Sequence, residues 1–309
     1  MKKVFIDGSA GTTGLRIFER LSGRADLEIL TLADDKRKDP LERKKMLNAA
    51  DVAFLCLPDE AARESVALVD NPSTVVIDAS TAHRTLPDWA YGFPELSQSH
   101  ENKILNSKRI AVPGCHASGF IALVYPLVEA GLLEESALLT CHSITGYSGG
   151  GKKMIAEYES EERNPLLGAP RQYGLTQQHK HLKEMQAITG LGTAPMFSPI
   201  VADFYSGMTV TVPLFKAQLK VGDVESIKKI YQEKYADGIV QYEENLDENG
   251  FLSGLALSHK DSMRVTVKGN EDRILLIAAY DNLGKGASGA AIECMNLALG
   301  FDRTTGLVL

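Results

Sequence analysis

The chain has 309 residues, enough for two domains of ordinary size, and its 33 lysine and arginine residues against 40 aspartate and glutamate residues leave a formal charge of −7. Its 44% hydrophobic and 24% charged residues are typical of a soluble globular protein, and no apolar run reaches the roughly 20 residues that span a bilayer. The negative charge argues against a nucleic-acid partner and against an anionic membrane as a partner.

The N-terminal part of the chain alternates between short apolar runs and amphipathic segments. Such alternation is typical of βαβ units, which build a parallel sheet. Strands are predicted at 3–7, 27–33, 50–57 and 74–79, and helices at 12–22 and 60–69.

The sequence from residue 110 onward is richer in strands. A strand at 110–112 ends at Pro113 and Gly114, and the nearly all-apolar segment that follows predicts a buried helix at 115–133. A strand-rich region crossed by helices indicates an α+β second domain. The remaining predicted elements are strands at 137–145, 208–219, 263–268 and 273–280 and helices at 225–235 and 287–300.

Three of the 27 glycines stand at the turn between the first strand and the first helix. Gly8, Gly11 and Gly14 follow the spacing GxxGxxG rather than the commoner GxGxxG. A glycine turn lets a pyrophosphate approach the backbone, and the N–H groups at the helix start face the anion. A plain strand-to-helix turn is the alternative, but the position between a first strand and a helix favours dinucleotide binding.

The residues after the second predicted strand bear on which dinucleotide is bound, because the tip of that strand lies near the adenosine ribose. Acidic residues 34–35 favour the free 2′-hydroxyl of NAD, whereas Lys36, Arg37 and Lys38 favour the 2′-phosphate of NADP. The three consecutive cations favour NADP. The next basic residues, 43–45, are interpreted as part of a solvated loop.

One of the four cysteines differs from the other three. Cys56, Cys141 and Cys294 lie inside apolar segments, the usual place of a small buried thiol. Cys115 begins the buried helix, where the helix dipole and unpaired N–H groups stabilise a thiolate, although a structural cysteine is the alternative. No CxxC spacing occurs, so neither a disulfide framework nor a zinc knuckle is expected, and a reducing cytoplasm is the predicted location.

A nucleophilic cysteine beside a nicotinamide cofactor restricts the chemistry. The thiolate attacks a carbonyl carbon, the leaving group departs, and hydride reaches the carbon of the thioester. Collapse of the thiohemiacetal then releases an aldehyde, or the steps run in reverse. The two features together predict a thioester-forming oxidoreductase.

Six further motifs are spread along the chain. They are D-A-S-T-A-H-R (78–84), Y-G-F-P-E-L (91–96), V-P-G-C-H-A-S-G (112–119), S-I-T-G-Y-S-G-G-G-K (143–152), H-K-H-L-K-E (179–184) and D-N-L-G-K-G-A-S-G-A-A (281–291). Together they resemble the N-acetyl-γ-glutamyl-phosphate reductases, in particular the shorter branch of that family. The cysteine motif alone is shared with the semialdehyde dehydrogenases, whereas its combination with the glycine-lysine motif and the last motif is more specific.

The resemblance implies an architecture and an activity. It implies an α/β fold with a Rossmann-type NADP-binding domain, residues 1–114 with 284–309. The α+β catalytic and dimerisation domain of the semialdehyde-dehydrogenase type would be residues 115–283. It further implies the NADPH-dependent reduction of N-acetyl-L-glutamyl 5-phosphate to N-acetyl-L-glutamate 5-semialdehyde and phosphate, in arginine biosynthesis, by a homodimer or homotetramer.

The resemblance also implies catalytic roles. It assigns the nucleophile to Cys115 and a general acid/base to the H-K-H segment, where His181 is preferred to His179. Histidines two residues apart point to opposite sides of a helix, and the neighbouring apolar spacing is helical, so only one is expected to face the site. No metal is expected, because H-x-H has no third ligand here.

Two polar regions complete the predicted site. The glycines of 146–151 can form an anion nest that Lys152 completes, with a flexible lid or turn as the alternative. The guanidinium of Arg84 suits a carboxylate or a phosphate. The resemblance places Asn282 near the nicotinamide, although a helix-cap role for Asn282 is equally open. The predicted substrate-binding residues are Arg84, Ser148, Gly149, Gly150, Lys152 and His179. The predicted cofactor-binding residues are Gly8, Ala10, Gly11, Thr12, Thr13, Gly14, Lys36, Arg37, Leu57, Pro58, Ser80 and Asn282.

Two other functions stay open at this point. An aspartate-semialdehyde dehydrogenase shares the cysteine motif and differs in its substrate. A catalytically silent NADP-binding sensor is the candidate from another class, because a fold does not determine a function. The presence of Cys115 together with both histidines argues against the silent protein.

Overall fold

The computed structural model describes residues 1–309 and divides them into two compact units. The first unit comprises residues 1–113 and 287–307, and the second comprises residues 114–286 and 308–309. In chain order, the helices are α1 (Thr12–Leu21), α2 (Pro40–Ala49), α3 (Asp59–Ala67), α4 (Gln98–Asn106), α5 (Cys115–Glu129), α6 (Gly151–Glu159), α7 (His181–Thr189), α8 (Val224–Lys234) and α9 (Gly289–Leu299).

Six parallel strands form the sheet of the first unit. They are β1 (Lys2–Asp7), β2 (Leu27–Leu30), β3 (Val52–Leu55), β4 (Val75–Asp78), β5 (Ala90–Tyr91) and β6 (Arg109–Ala111). Their order in the sheet is β2-β1-β3-β4-β6-β5, and every neighbouring pair is parallel. β3 and β4 are buried at every position, which is typical of strands covered by helices on both faces.

The core of the first unit lies on both faces of this sheet. Val4 and Ile6 of β1 pack in one apolar cluster with residues of α1, α4 and α9. Phe5, which points to the opposite face, packs in a second cluster with residues of α2 and α3. The alternation along β1 therefore places the glycine turn that follows it between two helical layers.

Seven strands form a mixed sheet in the second unit. They are β7 (Thr140–Gly146), β8 (Arg171–Gln172), β9 (Met196–Ala202), β10 (Met208–Phe215), β11 (Val240–Tyr242), β12 (Met263–Gly269) and β13 (Arg273–Tyr280). Their order is β11-β12-β13-β10-β7-β9-β8, with parallel pairing only in β11/β12 and β7/β9. The apolar helix α5 packs against β10, β13, α7 and α8, which buries most of its residues.

The fold class is confirmed. Several of the predicted helices and strands end earlier in the structure than the sequence indicated. The second strand ends at Leu30 rather than at residue 33, because β1 offers it only four pairing positions. Helix α5 ends at Glu129 rather than at residue 133, since Gly131 adopts a left-handed φ of 72° and stops the helix. The strand predicted at 208–219 ends at Phe215, where a short 3₁₀ turn follows.

Other differences concern where elements begin. The last helix, predicted from residue 287, starts at Gly289 after a π-helical turn at 284–288. The sequence prediction also lacked the helices α2, α4 and α6 and the strands β5, β8, β9 and β11. Helix α2 carried a usable signal, because Asp39 caps its first turn and Pro40 occupies the first helical position. None of the nine helices combines the length and apolar character that a bilayer crossing requires.

Candidate active site

The glycine turn of the first unit connects β1 to α1. The Gly11 N–H donates to the Gly8 carbonyl over 2.9 Å, and α1 begins at the next residue, Thr12. Gly8 has a φ of 88°, and a Cβ atom there would lie 2.3 Å from the Cys56 carbonyl oxygen. A Cβ atom on Gly14 would lie 2.4 Å from the Gly8 carbonyl oxygen, so only glycine fits at both positions.

Two features of this turn fit a bound dinucleotide. No atom comes closer than 3.4 Å to a Cβ built on Gly11, so packing alone does not require glycine there. The Oγ1 atom of Thr12 is buried and has no hydrogen-bond partner within the protein. A buried hydroxyl without a partner is unfavourable, and a pyrophosphate oxygen would satisfy it.

A buried ion pair between Asp7 and Arg43 lies directly before the glycine turn. Asp7, the last residue of β1, accepts hydrogen bonds from Arg43 Nη2 at 2.9 Å and Nε at 3.2 Å and from Ser65 Oγ at 2.6 Å. The interpretation of residues 43–45 as a solvated loop was therefore wrong. They lie on α2, and Arg43 is turned inward because Asp7 is buried and needs a charged partner.

The other predicted cofactor residues of the first unit follow the carboxyl ends of its strands. Lys36 and Arg37 lie in an exposed turn after β2, where they pair with Glu42 at 3.3 Å and Asp34 at 2.6 Å. The remaining residues are exposed Ala10 and half-buried Thr13 at the glycine turn, Leu57 and Pro58 after β3, and Ser80 after β4. Ligands of parallel α/β sheets bind at this edge.

Arg84 is buried in the first unit and partly used by the protein itself. Its Nε atom donates to the Val112 carbonyl at 2.8 Å, and its Nη2 atom donates to the Ala79 carbonyl at 3.1 Å. These bonds hold the segment after β4 against the end of β6. A substrate-binding role for Arg84 stays a prediction.

Cys115 is the first residue of α5, with Gly114 as the residue that precedes the helix. Tyr280 fixes its backbone, because the phenol donates to the Cys115 carbonyl at 2.5 Å and accepts from the Gly119 N–H at 3.0 Å. Gly286 packs directly against it, since a Cβ on Gly286 would lie 3.0 Å from the Cys115 Cβ. The nucleophile candidate is thus held at a helix N-terminus with its side chain partly exposed.

The remaining thiols lie in surroundings that suppress ionisation. Burial, together with the nearby Asp78 and Asp7, raises the pKa of Cys56 to about 12. Burial raises the pKa of Cys141 as well, and Cys294 is fully buried against the Gly92 carbonyl. Only a thiolate reacts with alkylating reagents at an appreciable rate.

We expect iodoacetamide to modify Cys115 before any other thiol of the native protein, at neutral pH. Peptide mapping after partial alkylation would give the order. Denatured protein, in which the four thiols are equivalent, is the control. Preferential labelling of Cys56, Cys141 or Cys294 in the native protein would contradict the helix-terminus argument.

The two histidines of the H-K-H segment both lie in one aromatic cluster. The ring centroids of His179 and His181 are 4.7 Å apart, and they lie 5.7 Å and 5.6 Å from the ring of His116. The helical argument that turned the two histidines to opposite sides was wrong, and whether one or both of them serve the site stays a prediction. His181 is the first residue of α7, so His179 precedes the helix and does not follow helical periodicity.

The two histidines differ in what their nitrogens do. The backbone N–H of His181 donates to His179 Nδ1 at 3.2 Å, so this nitrogen is the acceptor and carries no proton. Burial, with a contribution from Lys180, lowers the pKa of His179 to about 4. His179 is therefore neutral at physiological pH and helps to start α7, whereas the acid/base role of His181 stays a prediction.

Glu184 connects the two catalytic candidates. It is buried on α7, three residues after His181, and its Oε1 atom accepts the Gly114 N–H at 2.8 Å. Residues three apart share a helix face, so this bond ties the start of α5 to the helix that carries His181. The sequence analysis assigned no role to Glu184, although this residue ends the H-K-H-L-K-E motif.

The glycine-rich segment at 146–151 is more ordered than an open anion nest. Tyr147–Gly150 forms a 3₁₀ turn that leads into α6, and the N–H groups of 146, 147 and 148 donate to carbonyls of 207, 204 and 205. Ser148 is buried, whereas Gly149, Gly150 and Lys152 are exposed. Asn282 connects this segment to the residues just before β10. It donates to Ser148 Oγ at 3.0 Å and accepts from the Gly207 N–H at 2.9 Å.

Comparison with known proteins covers both units. Residues 3–104 match the family model of the semialdehyde dehydrogenase NAD binding domain, and residues 115–282 match that of the semialdehyde dehydrogenase dimerisation domain. The chain is 44% identical to N-acetyl-gamma-glutamyl-phosphate reductase 2 of Nostoc sp., with 99% of each chain covered. It is also 44% identical to the N-acetyl-gamma-glutamyl-phosphate reductase of Rhizobium meliloti, with 96% of this chain and 98% of the relative covered.

The chain belongs to the N-acetyl-γ-glutamyl-phosphate reductase family. The resemblance drawn from the motifs and the expectation of an oxidoreductase with a nicotinamide-binding domain are confirmed. Whether the dinucleotide is NADP stays a prediction.

Solved structures show how this N-acetyl-γ-glutamyl-phosphate reductase family member relates to the semialdehyde dehydrogenases. Aspartate semialdehyde dehydrogenase II from Vibrio cholerae, complexed with ASA, matches with a TM-score of 0.74 at 16% identity over 97% of this chain and 98% of that one. The enzyme from Candida albicans with NADP matches with a TM-score of 0.65 at 16% identity, over 96% and 98%. At this identity the likeness shows a shared fold and nothing about substrate.

Proposed function

We propose that the protein reduces N-acetyl-L-glutamyl 5-phosphate to N-acetyl-L-glutamate 5-semialdehyde and phosphate, with NADPH, in arginine biosynthesis. The supporting observation is Cys115, a partly exposed thiol at the N-terminus of a buried helix, tied through Gly114 and Glu184 to the helix that begins with His181. Its relatives carry the name of this reductase. The cytoplasm suits the four free thiols.

The mechanism begins with the thiolate of Cys115, which adds to the acyl carbon and forms a C–S bond; the C–O bond to phosphate then breaks as the carbonyl re-forms. His181 donates a proton to the departing phosphate and recovers one from solvent. The glycine turn and Thr12 would hold a reduced nicotinamide dinucleotide, which would supply the hydride that takes a thioester to the aldehyde level. Breaking of the C–S bond then returns the Cys115 thiolate and releases the semialdehyde.

The assay that tests this function runs the reaction in reverse. N-acetylglutamate semialdehyde, phosphate and NADP should give NADPH, with a kcat/KM that exceeds the value for aspartate semialdehyde at least about 100-fold. Preference for aspartate semialdehyde would favour the other dehydrogenase. Absence of turnover with both aldehydes would favour the silent sensor.

The choice of NADP rests on Lys36 and Arg37, which are exposed after β2. We expect the double substitution Lys36→Ala, Arg37→Ala to raise the KM for NADPH about tenfold or more, because a 2′-phosphate would lose its charged partners. The KM for NADH should not change. The exposed Lys45→Ala variant on α2 is the control, and equal loss for both dinucleotides in the double variant would contradict the assignment.

Self-association is proposed through the open face of the second unit's sheet. The strand register places Ile144, Met196, Phe215 and Leu275 on one face, and all four side chains are exposed. Exposed apolar side chains on one sheet face are typical of an interface. The matching family model is that of a dimerisation domain. A homodimer or homotetramer is the expected assembly.

We expect Ile144→Asp to lower the mass in sedimentation velocity to that of a smaller species, because a carboxylate would be buried at the interface. Leu41→Asp, at an exposed apolar position of the first unit, is the matched control and should leave the mass unchanged. An unchanged mass in the Ile144 variant would exclude this face.

A further inference from the structure

His116, the residue after Cys115, has both of its ring nitrogens engaged. Its Nδ1 atom lies 2.6 Å from the Ser143 hydroxyl, and its Nε2 atom lies 2.7 Å from the Tyr173 hydroxyl. The ring is buried among His179, His181 and Phe197. With no nitrogen left for the substrate, His116 does not compete with His181 as an acid or base.

The protonation state of His116 follows from its surroundings. Burial, together with the nearby His179 and Lys180, lowers the pKa of His116 to about 3. The ring is neutral at physiological pH, so one nitrogen carries a hydrogen and the other accepts one. The two hydroxyls therefore play different roles: one donates to the ring and the other accepts from it.

Ser143 decides which hydroxyl donates. It lies on β7 with no exposed surface, and the hydrogen bond to His116 is the one that the structure gives to its side chain. A buried hydroxyl proton without an acceptor is unfavourable, so the Ser143 O–H donates to Nδ1. The hydrogen of His116 must then sit on Nε2, and Nε2–H donates to the oxygen of Tyr173.

The hydrogen-bonded chain Ser143–His116–Tyr173 is called the relay below. Within it the Tyr173 hydroxyl proton is not used, because the phenol accepts a hydrogen bond from His116 and does not donate one to it. Tyr173 is only partly buried, in contrast to Ser143 and His116. Its phenol bonds the ring of His116, the residue that follows Cys115 at the start of α5, so the hydroxyl lies near the nucleophile candidate. Burial, with a contribution from Cys115, raises the pKa of Tyr173, so the phenol keeps its proton.

We propose that Tyr173 is a further catalytic residue, which donates a hydrogen bond to the oxyanion formed on the acyl group at Cys115, and that Ser143 and His116 are positioning residues that orient it. The oxyanion part of this proposal rests on the proposed reductase function. No bond forms or breaks at Tyr173. Its O–H stabilises the negative oxygen when the thiolate attacks and again in the thiohemiacetal.

The orientation can be tested without substrate or activity. Nitrogen-15 NMR of the ligand-free protein, with labelled histidine, distinguishes protonated from unprotonated ring nitrogens, and a His116→Gln sample assigns the signals. At neutral pH the expected result is an unprotonated Nδ1 and a protonated Nε2. A protonated Nδ1 would overturn the proposal, because Tyr173 would then donate to His116. This result is independent of whether the protein is a reductase.

The catalytic part is tested with Tyr173→Phe, Ser143→Ala and the double variant. We expect Tyr173→Phe to lower kcat about 100-fold with a small change in KM, since an oxyanion donor acts mainly in the transition state. Ser143→Ala should lower kcat about tenfold, because Tyr173 then loses its fixed orientation. The decisive result is the double variant, which should match Tyr173→Phe alone, because Ser143 acts only through Tyr173.

Ser118→Ala is the matched control for a lost buried hydroxyl. Ser118 is buried on α5, and its hydroxyl returns to the Gly114 carbonyl of its own helix at 3.1 Å. Its kcat should be unchanged. Full activity in Tyr173→Phe, or additive losses in the double variant, would refute the relay. Absence of reductase activity in the unmodified protein would instead refute the proposed function, and the NMR result would still stand.

Discussion

Replacing Cys115 by serine should lower kcat by about 10⁴-fold or more while the fold and dinucleotide binding are retained. A serine hydroxyl is a far weaker nucleophile than a thiolate and does not ionise at neutral pH. The covalent acyl intermediate therefore forms too slowly in either direction of the reaction. The backbone contacts of Tyr280 and Gly286 do not involve the sulfur and stay in place. Phosphate-dependent oxidation of the semialdehyde gives the rate.

Cys294→Ser is the matched control for this substitution. Cys294 is buried in the first unit beside the Gly92 carbonyl, to which a serine hydroxyl can also donate. Its turnover should stay near that of the unmodified protein. Near-normal turnover of the Cys115 variant would refute the thioester mechanism. Equal tryptophan fluorescence quenching by NADPH in all three proteins would show that dinucleotide binding is unaffected.

The substitution Arg43→Met should destabilise the first unit by about 3–5 kcal/mol, because it leaves Asp7 as a buried charge without its cation. The Arg43 side chain also bonds Ser65, which itself bonds Asp7, so the change disturbs the whole cluster beneath the glycine turn. Urea unfolding followed by circular dichroism would measure the difference. The affinity for dinucleotide should fall as well, since Asp7 directly precedes Gly8.

Lys44→Met is the control, because it removes the neighbouring cation from a surface pair with Asp70 at 2.5 Å. Exposed pairs contribute about 0–1 kcal/mol, so this variant should unfold at nearly the same urea concentration as the unmodified protein. Equal stability of the Arg43 and Lys44 variants would show that the Asp7 pair contributes nothing beyond a surface contact.

Local sequence patterns single out Cys115 as the nucleophile candidate because all of the signals for it lie within a few residues, and the structure places it at the start of α5 as expected. A Pro-Gly break, the cysteine and a long apolar helix follow one another, and helix electrostatics depends only on that order. The parallel sheet could be predicted for the same reason, since strand and helix periodicities are local. The expected glycine-rich phosphate turn likewise coincides with the residues that connect β1 and α1.

The parts that escaped prediction depend on residues distant in the chain. Arg43 is 36 residues from its partner Asp7, and nothing in a basic run indicates that one cation turns inward. His116 and Tyr173 are 57 residues apart, and the short strand that positions Tyr173 has only two residues. His179 misled the helical argument because the helix begins two residues later. Such pairings come from tertiary packing, which periodicity does not encode.

The contacts that hold Cys115 have a kinetic consequence. Tyr280, Gly286 and the Glu184 bond to Gly114 all belong to the second unit, which does not include the dinucleotide turn. The backbone and the Cβ atom of Cys115 are therefore held by groups of the second unit alone. We therefore expect acyl transfer to Cys115 and hydride delivery to be separable half-reactions, so that labelled phosphate exchanges into the acyl phosphate with no dinucleotide present.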